Sequence, residues 1–129
     1  MAQIKIYGIR ENLTPIKKQL SDTIHSCIVE ALQFPQDKRA HRFFCMDKED
    51  FIYPSGRTDA YTIIEISMIE GRSVQAKKFL IKLLFERIQS ETGIAPMDIE
   101  ICIYDSPAYN WGFRGFHGDE VQLNYRINV

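Results

Sequence analysis

The stretch that decides the fold is YTIIEISMIEGRSVQAKKFLIKLLFERIQSETGIAPMDIEICIY, residues 61–104. Its first segment, residues 61–69, is rich in β-forming residues, and one face carries Ile64, Ile66 and Met68. A second strand is predicted where isoleucines alternate, at Ile99, Ile101 and Ile103. The segment between them has helical spacing. The stretch therefore predicts a β-α-β unit, whose crossover is expected to be right-handed.

The boundaries of the helix in this unit have local signals. Ser73 can cap its first turn, Gly93 fits the left-handed position after its last turn, and Pro96 prevents further propagation. Helical spacing places one apolar stripe on this helix, made of Ala76, Phe79, Leu80, Leu83, Leu84 and Ile88.

A similar unit precedes this one by about 60 residues. Residues 2–7 alternate around Ile4 and Ile6, Thr14 is expected to cap a helix with Pro15 at its first position, and Pro35 ends that helix. The apolar stripe of this helix consists of Ile16, Leu20, Ile24, Cys27, Ile28, Ala31 and Leu32, and residues 40–46 form the next strand.

The repeat predicts an α+β fold in which two β-α-β units share one four-stranded mixed sheet with both helices on one face. We expect a single domain over residues 1–129, with halves at about 2–47 and 61–105 and a C-terminal clasp at 108–129. Residues 121–127 could form a further short strand, which could add to the sheet of a neighbouring copy. The other face of the sheet is only half polar, which predicts that it meets another subunit.

Composition narrows the class of protein. The chain is 45% apolar and 26% charged with a formal charge of −1, so charge gives no reason to expect nucleic acid as a partner. No apolar run is long enough to span a bilayer, and no leader segment is expected. The three cysteines form no C-x-x-C pair, which favours reduced thiols in the cytoplasm. No spacing resembles a metal site, and we expect neither a metal nor a cofactor.

Ala2 stands at the start of the first predicted strand. If Met1 is removed, Ala2 carries a free α-amine, a group whose pKa is roughly 7.7–8.0 and which can act as a base near neutral pH. The alternative is that the strand simply begins early.

Basic residues stand at two strand ends. Arg72, in Glu70-Gly71-Arg72-Ser73, lies between a strand and a helix, where an anion is favoured and an arginine can hold a carboxylate with two hydrogen bonds; the alternative is a surface arginine beside a turn. A second basic group opens the strand at 40–46 and either lines an anion pocket or is a solvated strand end; it consists of Arg39, His41 and Arg42.

The segment after the last strand, residues 110–119, combines glycines with aromatic residues. Such a loop can wall a ligand pocket or clasp another subunit, and its candidate residues are Trp111, Phe113, Arg114 and Phe116.

Taken together, these residues resemble the tautomerase superfamily, in the branch of malonate semialdehyde decarboxylase and cis-3-chloroacrylic acid dehalogenase. The resemblance covers almost the whole chain. The motifs that carry it are the strand beginning at residue 2, Leu13-Thr14-Pro15, Glu70-Gly71-Arg72-Ser73, Gly93-Ile94-Ala95-Pro96-Met97-Asp98-Ile99 and Trp111-Gly112-Phe113.

The resemblance implies the fold of macrophage migration inhibitory factor, a homotrimer, and an active site built around an amino-terminal proline, with arginines that bind the substrate carboxylate. Ala2 takes the place of that proline, Arg72 matches the second arginine of the dehalogenase sequence, and Ile69 replaces the first. The acidic residue of the decarboxylase falls near Lys38, with Asp37 one position away.

Two hypotheses follow. The first is a tautomerase-like isomerase that moves a proton next to the carbonyl of a small 2-oxo or unsaturated carboxylic acid, with the Ala2 amine as base and Arg72 as carboxylate binder. The second is a trimeric binding protein that keeps the fold without catalysis, as the absent proline suggests. Decarboxylase or hydratase chemistry at the same site is a third, weaker alternative.

Overall fold

Four strands form one mixed sheet in the computed structural model, which describes residues 2–129. In chain order they are β1 (Ala2–Ile9), β2 (His41–Met46), β3 (Thr62–Ile69) and β4 (Ile99–Ser106), and across the sheet they follow the order β2-β1-β3-β4. Strand β1 is parallel to β2 and antiparallel to β3, and β3 is parallel to β4. The predicted α+β fold, with two β-α-β units sharing one mixed sheet, is confirmed.

Two long helices connect the parallel strands and cover one face of the sheet. A short helix α1 (Arg10–Leu13) and a 3₁₀ turn (Thr14–Ile16) precede α2 (Lys17–Leu32), and α3 (Val74–Thr92) follows β3. The alternating inner residues of the strands pack with both helices into one core; its fully buried members include Ile6, Leu20, Ile24, Ile64, Ile66, Met68, Leu80 and Leu84. None of the helices in the described part of the chain has the length and apolar character needed to cross a membrane.

The ends of α3 agree with the sequence. The Ser73 hydroxyl accepts a hydrogen bond from the Ala76 backbone N–H at 3.1 Å. Gly93 adopts a left-handed conformation with φ of 80°, and Ile94 is buried after it. Phe79 was predicted to belong to the apolar stripe of this helix, but its side chain is 42% exposed in the single chain.

The start of α2 differs from the prediction. Thr14 forms no side-chain cap and opens a 3₁₀ turn, and α2 begins at Lys17. The cap prediction at Thr14 was wrong because the chain is already helical before it, so no extended residue is present to start a new helix. The helix ends at Leu32 and is followed by Gln33, a left-handed residue with φ of 52°, two positions before Pro35.

The C-terminal region contains a hairpin and an extended tail. Strands β5 (Gly112–Phe113) and β6 (Phe116–His117) pair around Arg114 and Gly115, which have φ of 57° and 80°. Within the single chain residues 121–127 form no strand, since side chains there alternate between half-buried and exposed but the backbone joins no ladder. Pairing of this segment with the sheet of a neighbouring copy stays a prediction. The tail instead runs back along its own subunit, where the Val129 carbonyl accepts a hydrogen bond from the Ser73 N–H at 3.1 Å.

Candidate active site

The two predicted catalytic positions lie at one end of the sheet. Because β1 and β3 are antiparallel, Ala2 at the start of β1 pairs with Met68 near the end of β3. Arg72 follows β3 and donates a hydrogen bond from Nη1 to the Ile69 carbonyl at 2.9 Å. Ala2 is 4% exposed and Arg72 is 5% exposed, so both belong to the interior at this end. Met1, whose removal would free the Ala2 amine, lies outside the described residues.

The Arg72 guanidinium is incompletely paired. Its Nε and Nη2 are buried and have no hydrogen-bond partner among the described residues. Burial lowers the pKa of the guanidinium, and the nearby Tyr125 and Asp105 oppose this shift. An arginine remains charged even so, and Nε with Nη2 forms the edge that binds a carboxylate through two parallel hydrogen bonds. The unpaired hydrogen-bond donors of Arg72 are therefore suited to a carboxylate.

The local backbone fixes this arginine. Gly71 has φ of 135°, a conformation that favours glycine, and the preceding Glu70 N–H donates to the Ser106 carbonyl at 2.8 Å. Asp105, a carboxylate whose charge acts on Arg72, is paired with Lys77 of α3. The turn therefore holds Arg72 in place, and the Asp105 carboxylate is already engaged by a lysine.

Tyr125, in the tail, is a neighbour of Arg72 that the sequence did not single out. Its ring lies edge to face against Phe34, with centroids 5.1 Å apart, and the Lys38 ammonium lies 5.9 Å from the centre of the ring. Burial raises the pKa of the Tyr125 phenol, and Arg72 and Arg114 act in the opposite direction. The only sequence signal for this tyrosine was the alternation of the tail, which was interpreted as a strand. Asp37, beside Lys38, is exposed.

Arg39 and His41 form their side-chain contacts with helix α2. Arg39 donates from Nη1 to Asp22 at 2.6 Å, and His41 Nδ1 lies 2.8 Å from the Ser21 hydroxyl. The His41 Nε2 is buried without a partner among the described residues. Burial, with help from Arg39 and His25, lowers the pKa of His41 to about 4, so this imidazole is neutral at physiological pH.

Arg42 lies on the opposite face of the sheet from the helices. Its Nη2 donates to Gln3 Oε1 at 3.2 Å, beside the stacked rings of Tyr7 and Phe44. Since Ala2 is part of the helix-side core, Arg42 and the Ala2 side chain lie on different faces of the sheet.

The predicted aromatic wall belongs to the hairpin and the turn before it. Trp111 donates from its indole N–H to the Ser106 hydroxyl at 3.0 Å, which holds it at the end of β4 near Glu70. Phe113 is half-buried beneath the Arg114 guanidinium, 5.6 Å from its centroid, and Phe116 is 58% exposed. These residues stand at the end of β4, which lies at the same end of the sheet as Arg72.

Two other polar groupings do not include Arg72. Asp47, Glu49 and Asp50 bring carboxylate oxygens within 4.8 Å of one another, but all three are exposed and follow β2, at the far end of the sheet. A cleft of about 410 Å³ between α2, Arg39 and Arg87 is lined by arginines that are already paired with Asp22 and Glu30.

Comparison with known proteins identifies the family of the chain. The family described as Tautomerase enzyme matches residues 38–114. The chain is 31% identical over 101 residues to the Probable tautomerase YrdN of Bacillus subtilis (strain 168), which covers 74% of this chain and 78% of that protein.

Solved structures share the fold. Malonate semialdehyde decarboxylase superimposes with a TM-score of 0.81 at 22% identity, covering 92% of this chain and 99% of the other. The asymmetric trimer of wild-type fused 4-OT gives a TM-score of 0.80 at 22% identity, over 91% of this chain and 96% of the other. Because the family match spans more than half of the sequence, the chain belongs to the tautomerase enzyme family.

Proposed function

We propose that this protein is a tautomerase that moves a proton next to the carbonyl of a small 2-oxo or unsaturated carboxylic acid. The observation that carries the proposal is the buried Arg72 guanidinium, which leaves Nε and Nη2 unpaired at the end of the sheet where Ala2 begins β1. A buried charge with unmet donors is costly, and a substrate carboxylate would satisfy both donors at once. Membership of the tautomerase family supports this reaction type.

In this proposal Arg72 binds and the Ala2 amine transfers the proton. The Nη1 hydrogen bond to Ile69 keeps the free edge of the guanidinium in one orientation, so that a bound carboxylate presents its neighbouring carbonyl in a fixed position. With Met1 removed, the neutral amine takes the proton of the enol hydroxyl, and the resulting ammonium returns it to the adjacent carbon. Trp111, Phe113 and Phe116 would contribute apolar surface at the mouth of the site.

The test is the conversion of enol to keto phenylpyruvate, followed by absorbance. We expect Arg72→Ala to lower kcat/KM roughly 100-fold, because two charge-assisted hydrogen bonds are lost. Arg72→Lys is the matched control. It keeps the positive charge but cannot donate two parallel hydrogen bonds to one carboxylate, and it should retain more activity than Arg72→Ala. Ala2→Pro should raise the rate, because a ring fixes the amine in place and proline is tolerated at the first residue of a strand.

The outcome of that test separates the alternatives. Intact-mass analysis first establishes whether Ala2 carries a free amine, because retained Met1 or acetylation removes the proposed base. Activity that is unchanged in Arg72→Ala and in Ala2→Pro contradicts the assignment of roles. Carboxylate binding that depends on Arg72 without any turnover would favour the non-catalytic binding protein, and release of CO₂ would favour a decarboxylase.

We also propose that the protein works as a cytoplasmic homotrimer without a metal or cofactor. The face of the sheet opposite the helices supports the assembly, because it exposes Phe44 (40%) and Tyr104 (52%) beside polar residues. The fused 4-OT of the same fold forms a trimer. The cysteines, which form no disulfide, are consistent with a reducing compartment.

A further inference from the structure

The tail, residues 121–129, covers the segment that carries Arg72. The Val129 carbonyl accepts the Ser73 N–H at 3.1 Å, on one side of Arg72. On the other side, Ile127 lies so close to Gly71 that a Cβ built on this glycine would be 2.9 Å from Ile127 Cγ2. The tail therefore contacts both sequence neighbours of Arg72.

Tyr125 brings the same tail to the Arg72 side chain. Its ring is anchored on Phe34 of the core and interacts electrostatically with the guanidinium. With Tyr125, Ile127 and Val129 in place, Arg72 is 5% exposed and both free nitrogen atoms, Nε and Nη2, are buried. A carboxylate from solvent cannot touch these atoms unless a covering group moves.

The tail is better suited to move than the other surroundings of Arg72. Strands β1, β3 and β4 are fixed by continuous ladders, and α3 is fixed by core packing. The tail joins no ladder, and its side chains are half-buried at most. Segments with few buried contacts open at low free-energy cost.

We propose that residues 121–129 form an autoinhibitory strap, closed over Arg72 in the unliganded protein, which must lift before a carboxylate binds. The proposal rests on the role of Arg72 as carboxylate binder. A ligand that binds only the open state has an apparent Kd equal to its intrinsic Kd divided by the open fraction, so loosening the strap should tighten binding of the ligand.

The strap is tested by labelling of arginine with phenylglyoxal, followed at Arg72 by peptide mass spectrometry. In Tyr125→Ala/Ile127→Ala the strap loses two contacts, and the labelling rate of Arg72 should rise roughly tenfold or more as the open state becomes populated. Arg10, whose side chain is 54% exposed at the far end of the sheet, serves as the internal reference and should not change. The matched control removes two exposed side chains elsewhere, Ile52→Ala/Met97→Ala, and should label like the wild type.

Equal labelling of Arg72 in the wild type and the double variant would overturn the strap. If the double variant does not fold, Ile127→Ala alone removes the contact on Gly71 and leaves Tyr125 in place, so the same comparison decides the question. Pyruvate, added as a carboxylate probe, tests Arg72 separately: protection of Arg72 from the reagent in the loosened variant supports carboxylate binding there. Faster labelling without protection by pyruvate would retain the strap and reject the carboxylate role.

Discussion

At the scale of single residues, main-chain contacts account for the position of Arg72. Its Nη1 is held by the Ile69 carbonyl, and the chain reaches this point through a turn at Gly71 with φ of 135°. This hydrogen bond orients the guanidinium so that its Nε and Nη2 edge is left without a protein partner among the described residues. A buried charge with unmet donors destabilises the fold, and such costs are common at binding sites, where a ligand completes the hydrogen bonds.

His41 permits a prediction about pH. Its pKa is lowered to about 4 in the folded protein, mainly by burial, with contributions from Arg39 and His25, while in the unfolded chain it titrates near 6.5. Above pH 6.5 the imidazole is neutral in both states. As the pH falls from 6.5 to 4 only the unfolded chain gains the proton, so stability is lost over this window, by about 3 kcal/mol at most.

Urea unfolding at pH 7.5, 6, 5 and 4 measures this loss. His41→Asn cannot gain the proton, so its free energy of unfolding should fall less than that of the wild type across the window. His117→Asn, at an exposed position of the hairpin, is the matched control and should follow the wild-type curve. Parallel curves for the wild type and His41→Asn would show that His41 does not account for the acid sensitivity.

At the scale of secondary-structure elements, the two long helices begin differently, which allows a paired test. Ser73→Ala removes the hydrogen bond that the Ser73 hydroxyl accepts from the Ala76 N–H and should cost about 1 kcal/mol of the free energy of unfolding. Thr14→Ala removes no cap and should change stability by less than about 0.5 kcal/mol. Chemical denaturation gives both values, and a Thr14→Ala cost equal to that of Ser73→Ala would contradict the described start of α2.

The same elements show what the sequence could predict. The strands and the end of α3 follow from local signals, namely the alternation around Ile64 and Ile101 and the glycine at position 93. The path of residues 121–129 does not, because the alternation of a strand is also produced by an extended chain lying on a surface. Only the fold decides whether a ladder partner is present, and here the partner of Tyr125 is Phe34, 91 positions earlier.

The candidate site also has parts that the sequence could predict and parts that it could not. The positions of Ala2 and Arg72 follow from the topology, since two β-α-β units joined antiparallel bring the start of β1 to the end of β3. Successive residues of a strand point to opposite faces, so His41 and Arg42 lie on different sides of the sheet, but alternation alone could not show that His41 would contact Ser21 of α2. Partners contributed by distant helices carry no periodic signal in the sequence.

At the scale of the whole molecule, the duplicated unit places both helices on one side and leaves the other face of the sheet uncovered in a single chain. The rings of Tyr7 and Phe44 stack there at 4.8 Å, and Tyr7 donates to Glu65 at 2.7 Å, so the face is ordered by its own contacts. An ordered, mixed surface of this kind fits an interface between copies better than a solvated sheet face.

This face leads to a prediction about assembly. We expect the wild type to elute with three times the mass of one chain in size-exclusion chromatography with light scattering. Phe44→Asp, at a residue 40% exposed in the single chain, should shift the protein to the monomer mass, because a carboxylate would be buried without a partner in the interface. Ile52→Asp introduces the same charge at a residue that is 91% exposed and outside the sheet, and it should stay trimeric. Circular dichroism establishes that both variants keep the fold, and a folded Phe44→Asp that remains trimeric would place the interface elsewhere on the molecule.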